Sequence, residues 1–414
     1  MRYSKNAEAL TPSAIRDMMV RSAAYNDTIS FAVGEPDFIS APNVLEAACR
    51  AAKAGATKYA PGAGEAKLRE VYAGYLSDAI GVPYSPEEIQ VTTGGCGALF
   101  LAMSCILDPG DEVIISSPYW TNYNQQIRQL YAVPVMVDVY EENDFIMTAE
   151  DIEKAVTDKT KLILVNSPSN PTGGVIDRHA LEQIAKIAVK HDLFVMSDEV
   201  YRHILFDGAR YASIASIPGM KERTMIIDSV SKTHAMTGFR VGFGAGPVHW
   251  IRLMTKLTEN VVSSVCTISQ YAAIEAIEHG ADYMNMMCGE YEKRRNYIYD
   301  RINAMEPLSC IRPKGAFYLF VNIRKTGMSS EEFCNKLLDE EHVAVVPGSN
   351  FGSGGEGFVR ISYATSMERI EEGLNRMETF LKRTLSRTPN ETWAADAQAD
   401  LEDFIEGQGI YIRQ

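Results

Sequence analysis

Six short runs of nearly unbroken apolar residues constrain this chain most: "IQVTT" (89–93), "EVIIS" (112–116), "KLILVN" (161–166), "LFVMS" (193–197), "TMIID" (224–228) and "RVGFGAG" (240–246). A strand with one wet face alternates apolar and polar residues. A continuous apolar run suits a strand covered on both faces, as in a mostly parallel sheet with helices above and below. "DRHALEQIAKIAVKHD" (177–192) lies between two of these runs and sets Leu181, Ile184, Ile187 and Ala188 at helical spacing. It predicts an amphipathic crossover helix with Asp177 as N-cap. The expected fold class is therefore α/β, with a large domain built on a mostly parallel sheet flanked by helices.

A different pattern begins near residue 280. "YMNMMCGEYEKRRNYIYDRINAM" (283–305) carries Met284, Met287, Tyr291, Ile298, Ile302 and Met305 as the apolar positions of one long helix. Beyond it, "GAFYLFVNI" and "GFVRISYA" read as strands, with helical segments between and after. That predicts a smaller α+β domain, and 414 residues are enough for both parts. After a helix ending near Leu385, Trp393, Ala397, Leu401 and Phe404 repeat at helical spacing among acidic residues. They read as a helix docked on the body or on a partner subunit.

The formal net charge of -14, with no offsetting run of Lys and Arg, argues against a nucleic-acid partner. Seven cysteines lie far apart with no C-x-x-C pair, so the expectation is free thiols in a reducing compartment, and no structural zinc. The N-terminal stretch lacks the apolar core of a signal peptide, and no apolar segment approaches the roughly 20 residues needed to cross a bilayer. A cytoplasmic protein with no membrane partner is expected.

In an open parallel sheet, ligands bind beyond the carboxyl ends of the strands. The residues just past each apolar run are therefore the ones to inspect. "IQVTT" gives way to "GGCGALF", glycines leading into a helix whose free N–H groups suit phosphate. "EVIIS" leads to "SPYW", "LILVN" to "SPSNPTGG", "LFVMS" to "DEVY", and "TMIID" to "SVSK". One rim thus collects Gly95, Trp120, Asn170, Asp198, Tyr201, Ser229, Ser231 and Lys232. Each alone has an ordinary reading: a strand-end Asp caps a helix, a Lys is solvated, "SNPTGG" is a turn, and a Trp is core. Together they suit a flat aromatic ring carrying a phosphate, a ring nitrogen and an aldehyde. That ligand is pyridoxal 5′-phosphate.

The motifs "SAIR", "AVGEPDF", "KYAPGAGEAKLRE", "TTGGCGALF", "DPGDEVIISSPYW", "VNSPSNPTGGV", "SDEVY", "SVSKTHAMTGFRVG", "GAFYLF", "VPGSNFG" and "GFVRISYA" occur in this order. On them, the chain resembles the fold-type I, class I and II pyridoxal-phosphate-dependent aminotransferases over residues 10 to 385. The resemblance implies that Lys232 is the Schiff-base lysine and the proton-moving base. It makes Asp198 the partner of the pyridinium nitrogen, and places Asn170 and Tyr201 on the phenolic oxygen. Trp120 becomes the stacking aromatic. Gly95, Cys96, Ser229, Ser231 and Arg240 become the phosphate site. Arg360, helped by the backbone of Gly34, becomes the clamp on the substrate α-carboxylate, with Asn170 and Trp120 also at the substrate. Tyr59 is expected to reach the phosphate of a neighbouring subunit, which implies a homodimer with shared active sites. Pro118 and Pro171 match positions that are often cis.

The resemblance also implies an N-terminal segment (1–40) belonging to the small domain, a large cofactor-binding domain (41–285), a small C-terminal domain (286–385) and an acidic extension (386–414). The implied activity is transfer of an amino group between an L-amino acid and a 2-oxo acid, with aspartate, alanine, branched and aromatic donors all open. A β-lyase on the same scaffold and a non-catalytic regulatory protein are the alternatives. "GSGGEG" (352–357) spells the G-x-G-x-x-G string of dinucleotide sites, but a strand follows it and not a helix, so a nicotinamide enzyme is rejected. The seven histidines show no metal-ligand spacing, and His234 receives no role.

Overall fold

The computed structural model describes residues 2–11 and 14–386, so the helix expected around Trp393 to Phe404 lies outside the described residues. In chain order the strands are β1 (Ile29–Ser30), β2 (Ile89–Thr92), β3 (Glu112–Ser117), β4 (Val133–Asp138), β5 (Thr160–Asn166) and β6 (Phe194–Asp198). They continue with β7 (Thr224–Ser229), β8 (Gly242–Ala245), β9 (Tyr318–Asn322), β10 (Val343–Ala344), β11 (Val346–Pro347) and β12 (Phe358–Ser362). Seven of them form one sheet in the order β2-β8-β7-β6-β5-β3-β4. Only β8 runs against its neighbours β2 and β7; the other adjacent pairs are parallel.

The unbroken apolar runs are explained by buried clusters on both faces of the sheet. Val113, Ile115, Leu162, Leu164, Met196, Met225 and Ile227 pack into one cluster. The residues between them, Ile114, Ile163, Val165 and Val195, enter a second cluster on the other face. Side chains alternate across a strand, so a strand buried on both sides must be apolar at every position.

Two features differ from the sequence reading. Val133–Asp138 was not expected as a strand; it is the sheet edge β4, where only Val137 is buried and Pro134 interrupts the pattern. A proline is tolerated there because an edge strand has a side with no ladder to feed. The strand expected over 240–246 shrinks to Gly242–Ala245, because Arg240 adopts a left-handed φ of 55° that no strand continues.

The crossover helix spans Arg178–Lys190, and Asp177 caps it by accepting from the Ala180 N–H at 2.7 Å. The long helix spans Ala281–Asn303 and buries Met287, Tyr291, Ile298 and Ile302. Past it, β11-β12-β9 form a three-stranded antiparallel sheet, and β1 pairs in parallel with β10. The segment around residue 30 therefore folds back onto the C-terminal part of the chain. "GSGGEG" passes through a short 3-10 turn into β12, with no helix after it. Among the described residues no helix is long and apolar enough to cross a membrane.

Candidate active site

A cavity of about 380 Å³ opens where the chain leaves β5, β6 and β7. Gly34, Gly95, Cys96, Trp120, Asn170, Asp198, Tyr201, Ser229, Ser231, Lys232, Arg240 and Arg360 all line it. Tyr59 does not; it is 87% exposed on the surface of its own chain. The Ser117–Pro118 and Asn170–Pro171 peptide bonds are cis, as is Ser167–Pro168 beside them.

Lys232 lies in a short helix, Val230–Thr233, that starts directly at the end of β7. Its Nζ donates to the Gly34 carbonyl at 2.6 Å. Burial lowers the ammonium from its ordinary 10.5 to about 8, against the opposing pull of Glu35. An amine poised there is available as a nucleophile or base near neutral pH.

Asp198, the last residue of β6, is the buried carboxylate of the same cavity. Burial pushes its carboxyl up to about 6, and a hydrogen bond from the Tyr123 hydroxyl at 2.6 Å resists that rise. A buried carboxylate facing a cavity calls for a cationic or N–H partner.

One end of the cavity is built for an anion. The helix Gly94–Ser104 presents its first turn there, with Gly94 at φ 70°. A Cβ on Gly94 would stand 2.6 Å from Arg240 Nη2, so only glycine lets the guanidinium lie against the helix start. On the other side, a Cβ on Gly242 would stand 2.3 Å from the Gly94 carbonyl carbon. The reversed strand β8 thus presses its backbone directly onto the loop. Ser229 and Ser231 add buried hydroxyls. Free N–H groups, two hydroxyls and a guanidinium form a phosphate-type donor set.

Arg360 supplies the second cationic end. It sits fully buried on β12, 4.7 Å from the Tyr318 ring centroid, and donates to Asn170 Oδ1 at 3.1 Å and to the Ala32 carbonyl. Among the described residues its buried Nε has no hydrogen-bond partner. Gly34 is held close by the same tyrosine: a Cβ there would meet the Tyr318 hydroxyl at 2.1 Å.

Several lining residues were not singled out from sequence. Tyr123 comes three positions after Trp120, and the two rings meet edge-on at 5.3 Å. Tyr318 hydrogen-bonds the Tyr201 hydroxyl at 2.7 Å. Glu35 accepts from the Thr237 hydroxyl. The i to i+3 spacing within "SPYWTNY" was a usable signal for Tyr123; the Tyr201–Tyr318 contact spans 117 positions and left no local trace.

A mixed α/β sheet that gathers a half-buried amine, a buried carboxylate and two anion sites beyond its strand ends suits an enzyme of small anionic substrates. Residues 26–377 match the family described as aminotransferase class I and II. The aspartate aminotransferase of Pyrococcus abyssi is 42% identical over 92% of this chain and 99% of its own length. The aromatic-amino-acid aminotransferase 2 of Thermococcus litoralis is 40% identical over 92% of this chain and 99% of its own. A structure of the Thermus thermophilus aspartate aminotransferase with maleate superposes with a TM-score of 0.88 at 37% identity, covering 92% of this chain and all of that one. The chain belongs to the class I and II aminotransferases, a family of pyridoxal-phosphate enzymes, and is a transaminase.

Proposed function

We propose that this protein holds pyridoxal 5′-phosphate through Lys232 and transfers an amino group between an L-amino acid and a 2-oxo acid. The observation that carries this reading is the meeting of Lys232, Asp198, Arg240 and Arg360 in one cavity. The donor set fits the cofactor's groups: the Gly95 and Cys96 backbone, Ser229, Ser231 and Arg240 for the phosphate, Asp198 for the ring nitrogen, Asn170 and Tyr201 for the phenolic oxygen, and Trp120 for the ring face.

Pyridoxal phosphate, when bound, supplies a carbonyl that condenses with amines and an electron-poor ring that draws the electron pair released at the substrate α-carbon. The chain's own residues do the rest. Arg360, with the Gly34 backbone, grips the α-carboxylate and fixes which Cα bond faces Lys232. Lys232, brought down to about 8 by burial, takes the Cα proton as base and gives a proton back as the conjugate acid. Asp198, whose ionised form the Tyr123 hydroxyl stabilises, would hold a proton on the ring nitrogen.

The relatives named for aspartate and for aromatic amino acids mark the range of donors to test. Tyr59, exposed and outside its own cavity, supports a homodimer in which it reaches the partner's phosphate site. Seven unpaired thiols support a reducing compartment such as the cytoplasm.

The test is borohydride reduction of the reconstituted protein, then peptide mapping, together with absorbance during addition of an amino acid. The expected outcome is label on the Lys232 peptide and conversion of the cofactor to its amine form. Pyruvate release without that conversion would indicate a β-lyase. Bound cofactor with no turnover of any donor would indicate a regulatory protein.

A further inference from the structure

We propose that Tyr318 is a positioning residue that acts through Tyr201: its hydroxyl donates to the Tyr201 hydroxyl, and so fixes and strengthens the donor that Tyr201 offers to the cofactor's phenolic oxygen. This rests on the aminotransferase reading above and adds a residue to that same site.

The two hydroxyl oxygens are 2.7 Å apart, an ordinary length for an O–H···O bond. Both side chains line the cavity, and both are buried. Burial raises both phenols above their ordinary 10, so each keeps its proton at neutral pH. Neither hydroxyl has another hydrogen-bond partner among the described residues. One proton bridges the pair and the other is spare. If Tyr201 donated, the spare proton would sit on Tyr318, beside the Arg360 guanidinium, which accepts no hydrogen bond. If Tyr318 donates, the spare proton sits on Tyr201, and a ligand oxygen there can take it. A phenolic oxygen at Tyr201 selects this second arrangement. Linked hydrogen bonds polarise one another, so a hydroxyl that accepts is also a stronger donor.

The packing around Tyr318 explains why its hydroxyl is available for this task. Tyr318 opens β9 and pairs with Ser362 of β12, the strand that carries Arg360. The Arg360 guanidinium lies 4.7 Å from the centre of its ring, and the Tyr201 ring meets it edge-on at 5.7 Å. The Gly34 backbone presses on the hydroxyl itself: a Cβ on Gly34 would stand 2.1 Å from its oxygen. A side chain held by these neighbours has little freedom to turn its hydroxyl away from Tyr201.

The proton on the Lys232 nitrogen gives the readout. Once that nitrogen is joined to the cofactor as an imine, the neighbouring phenolic oxygen carries most charge when the nitrogen has lost its proton. A donor at that oxygen stabilises the unprotonated form and lowers the pKa of the imine. The experiment titrates this pKa by absorbance in wild type, Tyr318→Phe, Tyr201→Phe and the double variant, all as holoenzymes. The charged groups that act on Lys232, namely Glu35, Arg360, Arg240 and Asp198, are the same in all four proteins. Tyr201→Phe should raise the pKa by about one to two units, the range for a hydrogen bond to a charged group. Tyr318→Phe should raise it by about 0.1 to 0.7 unit, from a strengthening of about 10–30% in that bond. In the Tyr201→Phe background, replacing Tyr318 should add nothing, because the link is already cut. Phenylalanine keeps the ring beside Arg360, so the donor KM should stay near that of wild type. An unmoved pKa in Tyr318→Phe overturns the proposal. So does an equal shift in both backgrounds, since Tyr318 would then act independently of Tyr201. A raised KM with an unmoved pKa would tie Tyr318 to Arg360 instead, and likewise overturns it. Failure of the underlying reading looks different: wild type itself would show no imine absorbance, which sinks both.

Discussion

Replacing Lys232 with methionine should abolish turnover and yet make the cofactor-free protein more stable at neutral pH. The ammonium falls from 10.5 to about 8 because burial strips its water. At roughly 1.4 kcal/mol per pH unit, holding that charge in the cavity costs the native state about 3 kcal/mol. The folded value lies below the unfolded one, so the unfolded chain binds more protons between pH 8 and 10.5. The stability tied to this group is therefore fully present above 10.5 and is lost as pH falls to 8. Methionine fills a similar volume without charge. It forfeits the hydrogen bond to the Gly34 carbonyl, worth about 1 kcal/mol. The net gain at neutral pH is about 2 kcal/mol; as the charge cost vanishes toward pH 10.5 the lost hydrogen bond remains, and the variant becomes up to about 1 kcal/mol less stable. Urea unfolding of cofactor-free wild type and variant, monitored by tryptophan fluorescence at both pH values, measures this directly. A variant less stable at neutral pH, or a gain that persists undiminished at high pH, would refute a buried, desolvated amine at this position.

Tyr123→Phe removes the 2.6 Å bond to Asp198 and so raises the proton affinity of a carboxyl already near 6. The acid limb of kcat/KM should move up by about one to two pH units, from a bond worth about 1.5–3 kcal/mol; an unmoved limb would mean that Tyr123 does not tune Asp198. Gly242→Ala drives a Cβ to within 2.3 Å of the Gly94 carbonyl carbon and 2.5 Å of the Gly95 nitrogen. Cofactor affinity, titrated by absorbance, should fall about tenfold or more, and an unchanged affinity would remove this loop from the phosphate site.

Strand ends were legible because burial on both faces leaves a local mark. Ile226 and Ile227 have to be apolar wherever the rest of the chain lies, and the polar residues just after them stand out. Lys232 and Asp198 were found this way. The edge strand β4 left no such mark, since water reaches most of its residues. Tyr318 was illegible as a site residue for another reason. Its hydroxyl meets Tyr201, 117 positions away, and its ring faces the Arg360 guanidinium on another strand, so no local pattern marks it.

One cause, desolvation in the cavity beyond the strand ends, shifts both central groups. It lowers the amine of Lys232 to about 8 and raises the carboxyl of Asp198 to about 6. In water these groups stand 10.5 against 3.8, too far apart for a proton to move usefully between a lysine and anything that titrates near neutrality. Desolvation draws both toward that range from opposite sides. The hydrogen bond from Tyr123 and the charge of Glu35 then limit how far each travels. On the proposed reading, Tyr123 favours the anion of Asp198 that a ring-nitrogen partner needs, and Glu35 favours the protonated form of Lys232. A more polar cavity would separate the two values again and slow proton movement at the lysine. A drier one would neutralise the carboxylate, and with it the hold on the ring nitrogen. On the proposed reading, the polar neighbours of the two groups tune the chemistry even where they touch no substrate.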